Sequence, residues 1–202
     1  MKKFSLADQW QKYRRKKTIV GIAFDIFFTA LIISMIFPAS RKAVQATFIR
    51  YSMFQPRESE EVVFVSDSNL DWEVEDLEGN RLNMLDLRGR PVFLNFWATW
   101  CPSCIAEMPS VQRLYDEYGD RIAFVLVSRE EAQMLLDYLQ RKKYTVPVYV
   151  LKGSVPQVFY SQKIPMTYLI SDNGKIVMKK QGPARWDGKR VKDLLNSMLE
   201  KN

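Results

Sequence analysis

Two cysteines stand three positions apart, Cys101 and Cys104, in a chain of 202 residues that has no other thiol and no histidine. Thiols at that spacing can pass between dithiol and disulfide, and their flanks say which one begins the exchange. A mostly apolar run over residues 91–97 ends just before Cys101, and Pro102 suits the first position of a helix. Cys101 is thus predicted at a helix N-terminus, where free backbone N–H groups and the helix dipole favour a thiolate. Cys104, one turn further in, is better shielded and can attack a mixed disulfide to release product. A static disulfide closing so short a loop would add little stability.

Other chemistries lack their parts. Zinc usually takes four Cys, His or carboxylate ligands, and covalent haem attachment needs a histidine where Ile105 stands. A Ser-His-Asp or Cys-His hydrolase has no base. No metal and no cofactor are expected.

The elements that must hold the pair in place can be outlined from pattern. Residues 70–74 and 81–84 read as short strands about a turn at 77–80. Residues 91–97 read as a strand buried on both faces, and 102–118 as a helix. A strand at 122–127, a helix at 130–141 and a strand at 146–151 follow, then a short helix near 155–160. A strand at 166–170, the hairpin turn Asp172-Asn173-Gly174 and a strand at 176–179 lead to a closing helix over 186–199. The fold class is α/β, a mixed central sheet with helices on both faces.

Charge is unevenly spread. Residues 1–59 carry 11 Lys/Arg against 3 Asp/Glu, and the rest of the chain 19 against 20. The formal +7 therefore belongs to the N-terminal segment, and no nucleic-acid partner is expected of the near-neutral remainder. Residues 19–37, IVGIAFDIFFTALIISMIF, hold one charge, Asp25. As a helix they span about 28 Å, close to the ~30 Å of a hydrocarbon core. Seven basic residues precede the run and Arg41, Lys42 and Arg50 follow it, which favours an N-terminus inside. The expected order is a cytoplasmic basic tail (1–17), a retained transmembrane anchor (18–37) in the lipid bilayer, a linker (38–60) and one domain (61–202). Val44, Phe48, Tyr51 and Phe54 recur at helical spacing in the linker, a pattern suited to lipid headgroups. The bland alternative is a partly ordered linker.

The stretch NFWATWCPSC (residues 95–104), with DWEVEDLEG at 71–79, Leu87-Arg88-Gly89-Arg90 and the later Pro165, resembles the thioredoxin superfamily. Within it, the chain is similar to the membrane-anchored TlpA/ResA-like thiol–disulfide oxidoreductases, including the cytochrome c maturation branch, from about residue 70 to 199. The resemblance implies a thioredoxin-like sheet and a cis bond at Ile164-Pro165 set against the cysteines, with the Ile164 backbone open to an incoming substrate strand. It implies a proton-transfer role at Cys104 for Glu107, three residues past the second cysteine, and Asn95 replaces the buried acid of cytosolic thioredoxins. Trp100 is expected at the rim beside Cys101, Pro109 inside the helix, and Gly182 where backbones approach closely.

The function expected is reduction of disulfides in extracytoplasmic proteins, apocytochrome c among the candidate clients. Electrons would come from a membrane thiol donor, and the catalytic domain would face the periplasm or its equivalent outside the cytoplasmic membrane. An oxidising role uses the same residues. A copper chaperone or metallation factor on the same fold is a different class, since Cu(I) suits thiolates.

Overall fold

The computed structural model describes residues 18–36, 38–59 and 63–200, of which 33–36, 38 and 39 are described for backbone alone. The chain divides into two compact units, Met1–Val44 and Gln45–Asn202.

The first unit contains helix α1, Ile19–Ile36, of 18 residues. The expected basic tail and Phe37 lie outside the described residues. Among the described residues no helix is long and apolar enough to cross a membrane, so the anchor stands on the sequence alone. A second helix, α2, covers Pro38–Ser52 and leaves Phe48 and Tyr51 exposed. The segment after it is tied down within the second unit. Arg185 N donates to Phe54 O, Arg190 N to the Gln55 side chain, and Ser59 N to Val177 O. These bonds satisfy backbone groups that a loose linker would leave to water.

The second unit is built on one eight-stranded sheet. Its strands are β1 (Val63–Phe64), β2 (Glu73–Glu75), β3 (Arg81–Asn83), β4 (Val92–Phe96), β5 (Ala123–Ser128), β6 (Val148–Val150), β7 (Met166–Ile170) and β8 (Lys175–Gln181). Their spatial order is β1-β8-β7-β4-β5-β6-β2-β3. β4, β5 and β6 run parallel, and the other pairings are antiparallel. The mixed sheet and the thioredoxin-like arrangement follow the sequence expectation. β1 was not foreseen, because two residues give no periodicity to read.

Strand β4 sits fourth in the sheet and is buried almost throughout because period-two alternation serves two cores. Phe93 packs with side chains of helices α4 (Pro102–Tyr118), α5 (Ala132–Lys142) and α6 (Lys189–Leu199). Val92 and Leu94 join the other cluster, with Trp72, Met84, Phe159 and Tyr168. Helical cover is therefore uneven. Helices α4, α5 and α6 share one cluster, while the other is closed by helix α3 (Asp67–Leu70) and two 3-10 turns, Met84–Leu87 and Gln157–Phe159.

Three local expectations change. Residues 70–74 are not one strand: Asp71 N donates back to Asp67 O, closing a helical turn, and Trp72 turns inward against Phe96 with ring centroids 6.3 Å apart. The helix expected near 155–160 is a single 3-10 turn after Pro156, whose ring and missing N–H suit only a helix start. The closing helix begins at Lys189, so Trp186 lies in the loop before it, fully buried.

Candidate active site

Strand β4 delivers the chain to the first cysteine through a short braced loop. Trp97 N donates to Val127 O on β5, and Trp97 is buried against Tyr138, ring centroids 5.5 Å apart. Glu130, just past β5, accepts from Thr99 N at 2.7 Å, Thr99 Oγ1 at 2.6 Å and Ser128 Oγ at 3.2 Å. Trp100 projects from this loop at 58% exposure, an aromatic face left to solvent beside a buried sulfur.

Cys101 is the N-cap of α4, with extended backbone (φ −88°, ψ 110°) and Pro102 beginning the helix. Its carbonyl takes the first helical bond from Ile105 N, and its Sγ accepts from Cys104 N at 3.3 Å. A sulfur thus fills the place usually taken by a Ser, Thr, Asp or Asn oxygen at a helix start. Negative charge on that sulfur is favoured by the N–H group aimed at it and by the dipole. Cys101 and Cys104 are joined as a disulfide, Cα atoms 5.3 Å apart. Cys104 is fully enclosed and Cys101 is 4% exposed, the less enclosed residue of the two. Ser103, between them, places Oγ 3.1 Å from Cys101 Sγ.

The peptide bond Ile164–Pro165 is cis, and the Ile164 carbonyl oxygen lies 3.9 Å from Cys101 Sγ. Gly182 N holds the Pro165 carbonyl at 2.8 Å. The reason for glycine at 182 is conformational: φ is +82°, and a Cβ there would meet nothing within 4 Å. No neighbouring atom comes close enough to exclude a side chain there.

Glu107 lies three residues past Cys104 on α4, at 1% exposure. Its Oε1 accepts from Asn95 Nδ2 at 3.0 Å, and its Oε2 accepts from Ala184 N and Trp186 Nε1, both at 3.1 Å. Asn95 Nδ2 also donates to Thr167 Oγ1 at 2.7 Å, while Asn95 Oδ1 is buried with no partner among the described residues. Burial pushes the Glu107 carboxyl up from 4.5 to about 7, against the hydrogen bonds from Trp186, Asn95 and Ala184 and the charge of Lys180. A carboxyl balanced near neutrality can take or give a proton at ordinary pH.

The structure therefore brings Cys104 and the Ile164 carbonyl, next to Pro165, to the Cys101 sulfur; Trp100 is exposed one residue before it, and Glu107 lies buried three residues past Cys104 on α4. Sequence reading missed Ser103 as a contact, Glu130 and Thr99 as the brace, and Trp186 as a donor to Glu107. Ser103 lay inside the motif and could have been found. The Glu130–Thr99 and Trp186–Glu107 contacts gave no local signal, since they join residues 31 and 79 positions apart.

Comparison with known proteins finds relatives by sequence and by fold. The AhpC/TSA family matches residues 65–179. The thiol–disulfide oxidoreductase ResA of Halalkalibacterium halodurans is 36% identical over 107 residues, 52% of this chain and 61% of that protein. ResA of Bacillus cereus is 33% identical over 131 residues, 63% of this chain and 72% of that protein. A crystal structure of a Bacteroides vulgatus protein assigned as a thiol–disulfide oxidoreductase is 29% identical. It superposes with a TM-score of 0.55, covering 63% of this chain and 92% of its own.

Proposed function

The chain belongs to the AhpC/TSA family, and from that premise we propose that it is a ResA-like thiol–disulfide oxidoreductase that reduces disulfides of extracytoplasmic proteins, apocytochrome c among its candidate clients. One observation carries the reading. Cys101 Sγ caps a helix N-terminus beside the Ile164 carbonyl, and its partner sulfur is enclosed behind it.

In the reduced enzyme, the Cys101 thiolate attacks one sulfur of a client disulfide in line with the S–S bond. A mixed disulfide forms and the other client sulfur leaves as thiolate. Cys104 then loses its proton, attacks Cys101 Sγ, and expels the second client sulfur. Two electrons pass to the client, the enzyme ends as the Cys101–Cys104 disulfide, and the client thiolates take up protons. Glu107 accepts the Cys104 proton in this scheme. Trp100 and the Ile164 backbone hold the client strand during the exchange, with Pro165 setting the carbonyl's direction. A membrane thiol donor of the same chemistry returns the enzyme to the dithiol.

We place this activity outside the cytoplasmic membrane, on a single anchor over residues 18–37 with the N-terminus inside. Support comes from the length and apolarity of residues 19–37 and from seven basic residues before them against three after.

The test is a trap. The full chain carrying Cys104→Ala, expressed in a bacterium and alkylated in acid, should yield mixed disulfides through Cys101 in the membrane fraction. Their partners should be cysteine proteins exposed outside the cytoplasm. Recovery of none, from cells in which Cys101 is reduced and alkylatable, sinks the enzyme reading. Recovery of cytosolic partners alone sinks the location.

A further inference from the structure

Residues 54–59 lie inside the stretch expected as a linker, yet two neighbours in it, Phe54 and Gln55, bond to the two ends of one loop and the helix it leads into. That loop, residues 182–188, runs from β8 to α6. Its backbone N–H groups are shared between two sets of partners. Ala184 N donates to Glu107 Oε2 at 3.1 Å and Trp186 N to Ser110 Oγ at 3.2 Å, both on α4. Arg185 N, between them, donates instead to Phe54 O at 3.0 Å. Trp186 Nε1 is the second donor to Glu107 Oε2, at 3.1 Å. Both donors to that oxygen among the described residues therefore sit on either side of a residue held by the strap at 54–55.

The second residue of the strap serves α6. That helix begins after Gly188, an N-cap with no side chain to take up the free N–H groups of the first turn. Gln55 Oε1 accepts from Arg190 N at 3.0 Å instead, a cap supplied from 135 positions away. The seat is filled, since a Cβ at Gly188 would collide with Gln55 Cδ, Cγ and Oε1. Pro56, next along, is buried. On α4 the same loop is braced by Arg113, 2.7 Å from Asp187. One set of bonds thus ties the loop to the helix of the cysteines, and another ties it to the strap.

We propose that the strap belongs to the catalytic unit, with Gln55 a positioning residue that acts through the 184–188 loop to keep two donors on Glu107 for the resolving step at Cys104. The claim deepens the proposed exchange and rests on Glu107 taking the Cys104 proton. Gln55 itself exchanges no proton. It anchors the strap, the strap holds Arg185 and Arg190, and the residues flanking Arg185 hold the carboxyl. With the anchor gone, the loop is free to draw its donors back from Glu107 Oε2. A buried carboxylate with weaker donors ionises at higher pH, so less of the base form is present near neutrality. Resolution slows there and recovers in alkali.

The test mixes the reduced full chain, in detergent, with one equivalent of dithiobis(nitrobenzoate) from about pH 5 to about pH 9. Cys101 attacks the reagent's S–S bond, releasing one thionitrobenzoate and keeping the other on its Sγ. Cys104 then loses its proton, attacks Cys101 Sγ and expels the second as the Cys101–Cys104 disulfide closes. In Gln55→Ala the first release should match the parent. The second should be about tenfold slower below its midpoint, with that midpoint about one pH unit higher and the profiles meeting at the alkaline end. Gln55→Glu, which keeps an acceptor for Arg190 N at a helix start that favours negative charge, should hold the parent profile. Gln55→Ala with Gly188→Ser gives α6 its own cap in the vacated seat. It should regain the parent's midpoint in urea unfolding while the second release stays slow. An unchanged second release in Gln55→Ala overturns the proposal, as does an equal fall in both releases at every pH. A double variant that regains parent speed overturns it too, because Gln55 would then be a helix cap and nothing more. A parent whose second release is no faster than that of Glu107→Gln refutes the role of Glu107 instead, and a parent with no second release refutes the exchange.

Discussion

Replacing Glu107 by glutamine should change how stability depends on pH. A folded-state carboxyl near 7 against an ordinary 4.5 means the native state holds its proton more tightly than the unfolded chain. The stabilisation is complete below pH 4.5, where both states are protonated. It drains away as pH rises from 4.5 through 7, because the unfolded chain ionises first and the native state must then ionise a buried group. At about 1.36 kcal/mol for each pH unit, the loss is about 3 kcal/mol by pH 8. A glutamine cannot titrate, so that slope disappears.

The shape of the site can accept the change. In Glu107→Gln the side-chain oxygen can stay on Ala184 N and Trp186 Nε1, with the new amide turned toward Asn95. The buried Asn95 Oδ1 has no partner among the described residues, and a half-turn of the Asn95 amide would let that oxygen accept from the introduced N–H and from Thr167 Oγ1. Protonated Glu107 would be met in the same way. The measurement is urea unfolding of the oxidised chain at intervals from about pH 4.5 to about pH 8, wild type beside variant, followed by tryptophan fluorescence. The variant should gain about 3 kcal/mol on wild type between the ends of that range. Taking the difference cancels the other titrating groups. Two curves that stay parallel refute the buried, near-neutral carboxyl. A second arm follows resolution of a Cys101 mixed disulfide, which should slow by about 10²-fold in the variant if the carboxyl accepts the Cys104 proton.

Two further outcomes are expected. Glu130→Ala removes three hydrogen bonds from the loop before Cys101 and leaves Thr99 N without its partner. It should cost about 2 kcal/mol in denaturant unfolding, and Glu130→Gln, which keeps an acceptor for Thr99 N, should recover part of it. Gly174→Ala should cost more than Gly182→Ala. Both positions have φ of +82°, but only at 174 does the new Cβ meet a backbone oxygen, Val65 O at 3.0 Å. A difference of about 1 kcal/mol or more in thermal unfolding at matched pH checks it, and equal costs would show that the Val65 backbone yields freely.

What the sequence by itself determined is what is local in the chain. An apolar strand running into Cys101-Pro102 can hardly do other than place a sulfur at a helix start, because a proline has its natural seat there and the orphan N–H groups follow within three residues. The 3.6-residue period of α4 and the turn at Asp172-Asn173-Gly174 were readable for the same reason. Short elements were not: a two-residue strand and a four-residue helix carry too few side chains to show a period.

Only the tertiary structure decided what meets the sulfur and the carboxyl from far along the chain. The Ile164 carbonyl comes from 63 residues beyond Cys101, and Trp186 Nε1 from 79 beyond Glu107. Those encounters depend on β7 lying against β4 in one register, Thr167 opposite Asn95 and Met166 opposite Phe96. A slip of one residue would exchange the faces, sending Thr167 away from Asn95 and the cis peptide away from the cysteines. Strand pairing is set by the fit of two cores across the whole sheet, and no window of sequence contains both sides of it.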